Sequence, residues 1–366
     1  MKVLVTGGHL TPALAVIEEI KNYKKDVDII FVGRKYALDS EKTISLEYKE
    51  IEKLKIPFIA LTAGRMTRVL TLKTIKNMLK IPIGFFNAFF IISEQKPDKV
   101  ISFGSYLALP IVFWSYVFGV PIFTHEQTIS PGIANKLIGY FSKKIFVAFP
   151  EAKSFFNPSK TFVSGNPVRN SIFNTNKKPF DIKKNRPVIY ITGGSLGSHS
   201  INEHLEKILK DLLEKYIVIH QIGDTKEYGD FEKLEKIKEK LPKKLAENYF
   251  LGKHFFENEI GYIYSVSDLV IGRSGANTFF ELLSLKKPAL FIPLPWSGGR
   301  EQQKHAEIFA KNGIGEIFHQ VEPSDKLFRL INQMIENLSL YKNNFNKLDS
   351  LYKQNASKFM VSAIFE

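Results

Sequence analysis

Cysteine is absent from the 366 residues, which excludes disulfides and thiolate metal sites and leaves nothing that points to secretion. Arginine is scarce, with only 8 of the 51 basic residues, and the remainder are lysine. That skew, beside plentiful Ile, Phe and Asn, is what an AT-rich genome gives as readily as selection for an acidic partner. The formal charge of +14 therefore leaves nucleic acid and anionic lipid both open. Nucleic acid finds no support in the motifs, since no RNP, KH or helix-turn-helix signature is present. No apolar run approaches the roughly 20 residues that a membrane-spanning helix needs; the longest is IPIGFFNAFFII at 81–92. Met1-Lys2 leads straight into Val3-Leu4-Val5, so no signal peptide is expected.

What is present is a two-fold pattern in a chain long enough for two domains. Hydrophobic content of 44% and charge of 24% fit a globular protein. Val3-Leu4-Val5 runs into Thr6-Gly7-Gly8-His9, and Pro12 opens a helix at a position where its missing N–H costs nothing. The pattern recurs at Val188 to Thr192, followed by Gly193-Gly194-Ser195-Leu196-Gly197-Ser198. A helix comes next, with Ile201, Leu205, Ile208, Leu209 and Leu212 at helical spacing. Two halves that each open with strand, Gly-Gly loop and helix predict two doubly wound α/β domains facing a cleft. The join falls after Gly165-Asn166-Pro167-Val168-Arg169, and the polar, Pro-containing stretch 170–187 reads as linker. Residues 224–247, dense in Lys and Glu, predict a solvated helical face. The tail from Leu348 is apolar at helical spacing and must pack on something.

The stretch 268–305 is the most informative. A strand at Leu269 to Ile271 enters Gly272-Arg273-Ser274-Gly275, and a helix with Phe279, Phe280, Leu282 and Leu283 follows until Lys286-Lys287-Pro288. Backbone N–H groups at that helix start favour an anion, whereas Glu281, one to two turns on, suits the two hydroxyls of a ribose. Phosphate donors beside a diol acceptor suggest a nucleotide; an ordinary strand–helix–strand core with turn glycines is the alternative. Polar residues also follow apolar strands at Ser102-Phe103-Gly104-Ser105-Tyr106 and His125-Glu126-Gln127-Thr128. His125 and Glu126 suit acid–base work, but neighbours on a strand point to opposite faces, so one of the pair is expected to be structural. Residues 65–93 carry Arg65, Arg68, Lys73, Lys76 and Lys80 with Phe85, Phe86, Phe89 and Phe90 and no carboxylate. Such a stretch suits an anionic membrane surface, or a core helix with a basic solvated side.

TGGHLTPALAV (6–16), SFGSY (102–106), HEQTISPGIANK (125–136), AFPEA (148–152), GNPVR (165–169), GGSLGS (193–198), HQIG (220–223), RSGANTFFE (273–281) and EQQKHA (301–306) resemble, in that order, the MurG glycosyltransferases of peptidoglycan synthesis. The resemblance covers nearly the whole chain. It implies a GT-B architecture of two Rossmann-like domains with the C-terminal helix returning to the first. The acceptor and membrane-facing domain is then 1–166 with 349–366, and the UDP-sugar domain 167–348. It implies inverting transfer of N-acetylglucosamine from UDP-N-acetylglucosamine to a polyprenyl-diphosphate-linked muramyl pentapeptide, at the cytoplasmic face of the membrane by peripheral attachment. By the same resemblance Thr6, Gly7, Gly8, Thr128, Arg169, Ser195, Glu281 and Gln302 contact the donor. Three departures stand out: Thr128 where the family usually has Asn, Glu301 and His305 where it usually has Gln and Asn, and a shorter first loop.

Transfer needs a base for the acceptor hydroxyl and a stabiliser for departing UDP. His9 is the expected base, since imidazole titrates near neutrality; a loop histidine bonding backbone is the alternative. Glu126 is the second candidate, as base or acceptor-orienting residue. Arg169, Ser195 and the helix start near Ser274 meet the diphosphate, so neither a metal nor another cofactor is expected. The rival activities are transfer to diacylglycerol and nucleotide-sugar 2-epimerisation, the latter having no use for a basic, apolar acceptor-domain surface.

Overall fold

The computed structural model describes residues 1–36, 44–61, 72–194, 196–223, 225, 227–348 and 355–366, with backbone alone for 72–80. Ser195, residues 65–71 and the side chains of Lys73, Lys76 and Lys80 therefore lie outside the described residues. The chain divides into two compact units, Met1–Arg169 with Leu351–Glu366, and Asn170–Ser350.

The first unit holds a seven-stranded parallel sheet: β1 (Lys2–Thr6), β2 (Asp28–Gly33), β3 (Phe58–Ala60), β4 (Lys99–Ser102), β5 (Ile122–Glu126), β6 (Lys144–Val147) and β7 (Thr161–Val163), in the order β3-β2-β1-β4-β5-β6-β7. The second holds a six-stranded one: β8 (Val188–Thr192), β9 (Ile217–Gln221), β10 (Tyr249–Gly252), β11 (Leu269–Gly272), β12 (Ala289–Phe291) and β13 (Gly315–Ile317), in the order β10-β9-β8-β11-β12-β13. Strands such as Val188–Thr192 are buried along their whole length, which is why they read as continuous apolar runs rather than as alternating ones. In each sheet the chain first winds outward from the opening strand and then returns to its other side, so the winding reverses between β1 and β4 and between β8 and β11. Ligands of doubly wound sheets bind at such reversals, beyond the carboxyl ends of the strands. Thr6 pairs with Ser102 and Thr192 with Gly272, so the strands flanking each reversal end level. The glycine loops singled out in the sequence leave from these four ends.

The apolar tail forms a helix, Ala356–Phe365, that packs against the helix Leu10–Tyr23. Met360, Val361 and Ile364 share one core cluster with Val16, Ile17 and Ile20. Its last carbonyls are met by lysines at strand starts: Lys99 Nζ donates to Ile364 O (2.8 Å) and Lys144 Nζ to Ala363 O (2.7 Å). Cations at a helix C-terminus satisfy carbonyls that have no intrahelical partner.

The stretch 170–187 corrects the linker reading. Asn170–Phe173 is a 3₁₀ turn docked on the helix Glu257–Val266, where a Cβ on Gly261 would stand 2.6 Å from Ser171 O. Phe180 packs edge-on against Phe255, and Lys177 pairs with Glu259 at 2.8 Å. Polar composition concealed the aromatic contacts of the half-buried Phe180 and one tight helix approach. Residues 230–240 do form the expected solvated helix, in which only Leu234 is buried.

Candidate active site

In the first unit the loops leaving β1, β4 and β5 form one hydrogen-bonded cluster. Gly7 N–H donates to Val32 O at 2.8 Å. Gly8 crosses the β4 loop so closely that a Cβ would stand 2.5 Å from Gly104 O, a close approach open only to glycine. His9 is the N-cap of the helix Leu10–Tyr23, whose N-terminus has no side-chain cap and no acidic residue in its first turn. Gln127 Nε2 lies 2.7 Å from His9 Nδ1, and burial lowers the imidazole pKa from 6.5 to about 4. The ring is therefore neutral at physiological pH. Thr6 is buried at the strand end below this loop.

His125 and Glu126 are both buried, and each serves a different loop. His125 Nε2–H donates to Gly165 O (3.1 Å), tying the Gly165–Arg169 loop to β5, and burial holds its pKa near 3. Glu126 Oε1 accepts from Thr128 N–H (2.8 Å) and Thr128 Oγ1–H (2.7 Å), and Oε2 accepts from Asn135 Nδ2–H (2.5 Å). With three donors on it, this carboxylate orders its own loop, and the Thr128 hydroxyl is directed at Glu126. Asn135 also accepts Ser105 N–H at 2.9 Å, and Ser105 sits at a positive φ of 71° beside Gly104. Asn135 thus joins two loops; in the sequence it was an unremarked residue inside a longer motif. Arg169, the last residue of this unit, is half-buried.

In the second unit the loop after β8 turns through Gly194 and Gly197, at φ 88° and 80°. Gln221 holds it: its Nε2–H donates to Gly194 O (2.9 Å) and its Oε1 accepts Phe255 N–H (3.0 Å). Arg273 spans the reversal, donating to Ser198 Oγ (2.6 Å), Ser200 Oγ (3.0 Å), Gln320 Oε1 (3.0 Å) and Ile292 O (2.8 Å). These partners are all neutral, so they leave its charge in place at the start of the helix His199–Lys215, although burial lowers its pKa to about 10. Arg273 was quoted in the motif but not singled out; an arginine immediately after a central strand was the available signal.

Glu281 is buried in the helix Ala276–Ser284, and its Oε2 accepts from Tyr264 Oη at 3.0 Å. Gln302 Oε1 accepts Leu294 N–H (2.9 Å), which leaves its NH₂ as the donor end. Ser274 Oγ donates to Gln302 O (2.6 Å), and His305 Nδ1–H donates to Ser274 O (2.8 Å). Two of the departures from the family pattern contact each other, with His305 Nε2 3.5 Å from Glu301 Oε2. An acid–imidazole pair thus stands where two amides are usual, and the turn around Ser274 stays anchored to the helix Glu301–Lys311. Among the described residues no group of three or more His, Cys, Asp or Glu side chains could hold a metal ion.

Buried histidines occur in both units and make stability depend on pH. His125 and His220 both have pKa values lowered from 6.5 to about 3 by burial. His220 Nδ1 faces Tyr249 Oη (3.0 Å) and Nε2 faces Asn202 Oδ1 (3.1 Å), an arrangement that suits a neutral ring. Both rings are neutral when folded and protonate once unfolded, so their contribution is complete above pH 6.5 and is lost as pH falls toward 3. Each is expected to remove about 1.4 kcal/mol per pH unit over that range. Denaturant midpoints measured from pH 7 to 5 should fall steadily; a flat series would contradict the neutral assignment.

Two parallel α/β units, each with a glycine loop at its winding reversal and the second adding an arginine and a buried carboxylate, define the GT-B class of nucleotide-sugar enzymes. Residues 4–147 match the glycosyltransferase family 28 N-terminal domain, and residues 188–360 match the family 28 C-terminal domain. The chain belongs to glycosyltransferase family 28, in its MurG group. It is 34% identical over 356 residues to the UDP-N-acetylglucosamine--N-acetylmuramyl-(pentapeptide) pyrophosphoryl-undecaprenol N-acetylglucosamine transferase of Clostridium botulinum (strain Langeland), covering 94% of each chain. In fold it is similar to Acinetobacter baumannii MurG, with a TM-score of 0.73, 24% identity and coverage of 100% of this chain and 99% of that one. It is also similar to a Neisseria meningitidis UDP-GlcNAc 2-epimerase bound to UDP-GlcNAc, with a TM-score of 0.68, 16% identity and full coverage of both.

Proposed function

We propose that this protein transfers N-acetylglucosamine from UDP-N-acetylglucosamine to the lipid-linked muramyl pentapeptide, with inversion at the anomeric carbon. The observation that carries this reading is the relationship to the family 28 transferases along almost the whole chain, at 34% identity over 94% of its length. The second unit receives UDP. Glu281 accepts the ribose hydroxyls, and the β8 loop with Ser195, Arg273 and the helix start at Gly275 meet the diphosphate. Arg169 adds charge from the Gly165–Arg169 loop, and the Gln302 NH₂ donates to the sugar. In the first unit Thr6, Gly7, Gly8 and Thr128 build the loops that border the reacting groups, with Glu126 ordering them.

His9 takes the proton of the acceptor hydroxyl as that oxygen attacks the anomeric carbon and the bond to UDP breaks. With Gln127 donating to Nδ1, the neutral ring carries its proton on Nε2. The reverse orientation of the same amide lets Nδ1–H donate to Gln127 Oε1 and leaves Nε2 as the base, and general-base action requires this second arrangement. Fixed cationic and N–H groups stabilise the leaving diphosphate, so the reaction is expected to proceed in excess EDTA and to give a β-linked product from the α-linked donor. An α-linked product, or transfer that stops when metal is chelated, would overturn this mechanism.

The acceptor's polyprenyl tail stays in the bilayer, so the first unit works at the membrane surface as a peripheral protein on the cytoplasmic face. No helix among the described residues is long and apolar enough to cross a membrane. The helices Leu72–Gln95, Ala108–Val117 and Ile133–Phe141 pack in a row and leave Phe86, Phe90, Phe118, Ile133 and Tyr140 exposed at 64, 43, 47, 81 and 76%. Phe86 meets Phe90 at 4.8 Å between ring centroids, and Phe89 joins Phe90 to Phe118 at 5.4 and 5.8 Å, so the aromatic strip is continuous. Burying each phenylalanine in the interface contributes roughly 1.5–3 kcal/mol, and nearby lysines add a salt-dependent term. Phe86→Glu with Phe90→Glu is expected to abolish co-sedimentation with anionic vesicles and to raise KM for a long-chain acceptor. Undiminished vesicle binding by that variant would remove the strip from the membrane.

A further inference from the structure

The first glycine loop is shaped by a carboxylate that no motif draws attention to. Ser45 caps the helix Leu46–Lys53, its Oγ accepting Tyr48 N–H (3.1 Å) and donating to Arg34 O (2.5 Å). That cap fixes the first turn of the helix against the end of β2 and projects Glu47 back toward β1. Glu47 Oε2 accepts Arg34 N–H at 2.8 Å. A Cβ on Gly33 would stand 2.6 Å from Glu47 Oε2, and one on Gly7 would overlap Oε1. Neither glycine is among the residues at positive φ, so both are needed for space rather than for an unusual backbone. The loop is therefore held from two sides, by Glu47 beneath Gly7 and by the Gly104 carbonyl against Gly8. Burial raises the Glu47 pKa, while the Arg34 N–H, the Arg34 guanidinium and the Gly8 N–H pull it down.

We propose that Glu47 is a positioning residue for transfer: an internal carboxylate that fits the space left by Gly7 and Gly33 and, held by the Arg34 N–H, backs the loop from which His9 reaches the acceptor. The proposal rests on the reading of this loop as the acceptor side of the transferase. One carboxylate oxygen accepts the Arg34 N–H while the other packs against Gly7, so neither position has room for an added donor. Glutamine has the same shape but turns one donor toward another, so it distinguishes this role from simple filling of space.

The test compares Glu47→Gln, Glu47→Ala, Gly7→Ala and the Gly7→Ala/Glu47→Ala pair in the full chain, with UDP calorimetry as the check on the second unit. Each single change is expected to lower kcat by on the order of tenfold to a hundredfold, the cost of leaving a buried N–H unpaired or displacing its partner. UDP affinity should stay at the unmodified value in the two single Glu47 variants. The pair should lose no more than the worse single variant, because removing the carboxylate makes room for the new methyl group. Histidine-selective NMR supplies a readout that needs no acceptor: Glu47→Gln should move the His9 ring signals and leave those of His220 in place. Wild-type kcat and unshifted His9 signals in Glu47→Gln would overturn the proposal, as would losses in the pair that simply multiply. Unmodified protein that transfers no sugar would overturn the functional reading instead, and the His9 signals would still decide the role of Glu47.

Discussion

Replacing His9 with alanine is expected to lower turnover by about a hundredfold or more while affinity for UDP holds. The loss falls on turnover because His9 belongs to the first unit, at the uncapped start of Leu10–Tyr23, whereas the UDP groups named above lie chiefly in the second. The low pKa, about 4, adds a pH signature. A base must be unprotonated to act, so the acid limb that His9 imposes should lie near its own pKa rather than near 6.5, and activity should not fall on its account between pH 7 and 5.5. Gln127→Glu puts a carboxylate beside Nδ1 and should move that limb upward, since a negative neighbour favours the imidazolium. Unchanged turnover in His9→Ala would remove His9 as base, and an acid limb in the unmodified protein that ignores Gln127→Glu would remove the contact as its tuner.

Glu281→Ala should weaken UDP binding by about 1.5–3 kcal/mol, the worth of a hydrogen bond to a charged group, or about 10- to 150-fold in Kd. The carboxylate is buried and is oriented by the Tyr264 hydroxyl. Little reorganisation is then required on binding, which is why the loss should appear in affinity rather than in the fold. Tyr264→Phe removes only the orienting bond and should cost about 0.5–1.5 kcal/mol. Calorimetry with UDP reads both, and an affinity unaffected by Glu281→Ala would place the ribose elsewhere.

The features legible in the sequence were those written in local pattern. Apolar runs ending in glycine pairs marked β1 and β8, and the spacing of Phe359, Met360 and Ala363 announced a helix that had to find a partner. The family resemblance supplied its place on the first unit. What stayed hidden depends on side chains from distant elements meeting. Gln127 touches His9 across more than a hundred residues, Asn135 joins Glu126 to Ser105, and Glu47 fills the space under Gly7, yet none has a local signature. Strand alternation set His125 apart from Glu126, and the structure gives each its own loop, with Glu126 a loop-ordering carboxylate as well as the second candidate base. The polar run 170–187 misled because composition reports solvation on average, whereas Phe180 and the turn at Asn170 dock through a few contacts.

The most direct test offers labelled UDP-N-acetylglucosamine and the full chain one of three mixtures: lipid-linked muramyl pentapeptide, diacylglycerol, or no acceptor. Label is expected to enter the lipid-linked muramyl pentapeptide alone, with release of one UDP per sugar transferred. Label in diacylglycerol, or conversion of the donor to its 2-epimer without any acceptor, would contradict the assignment.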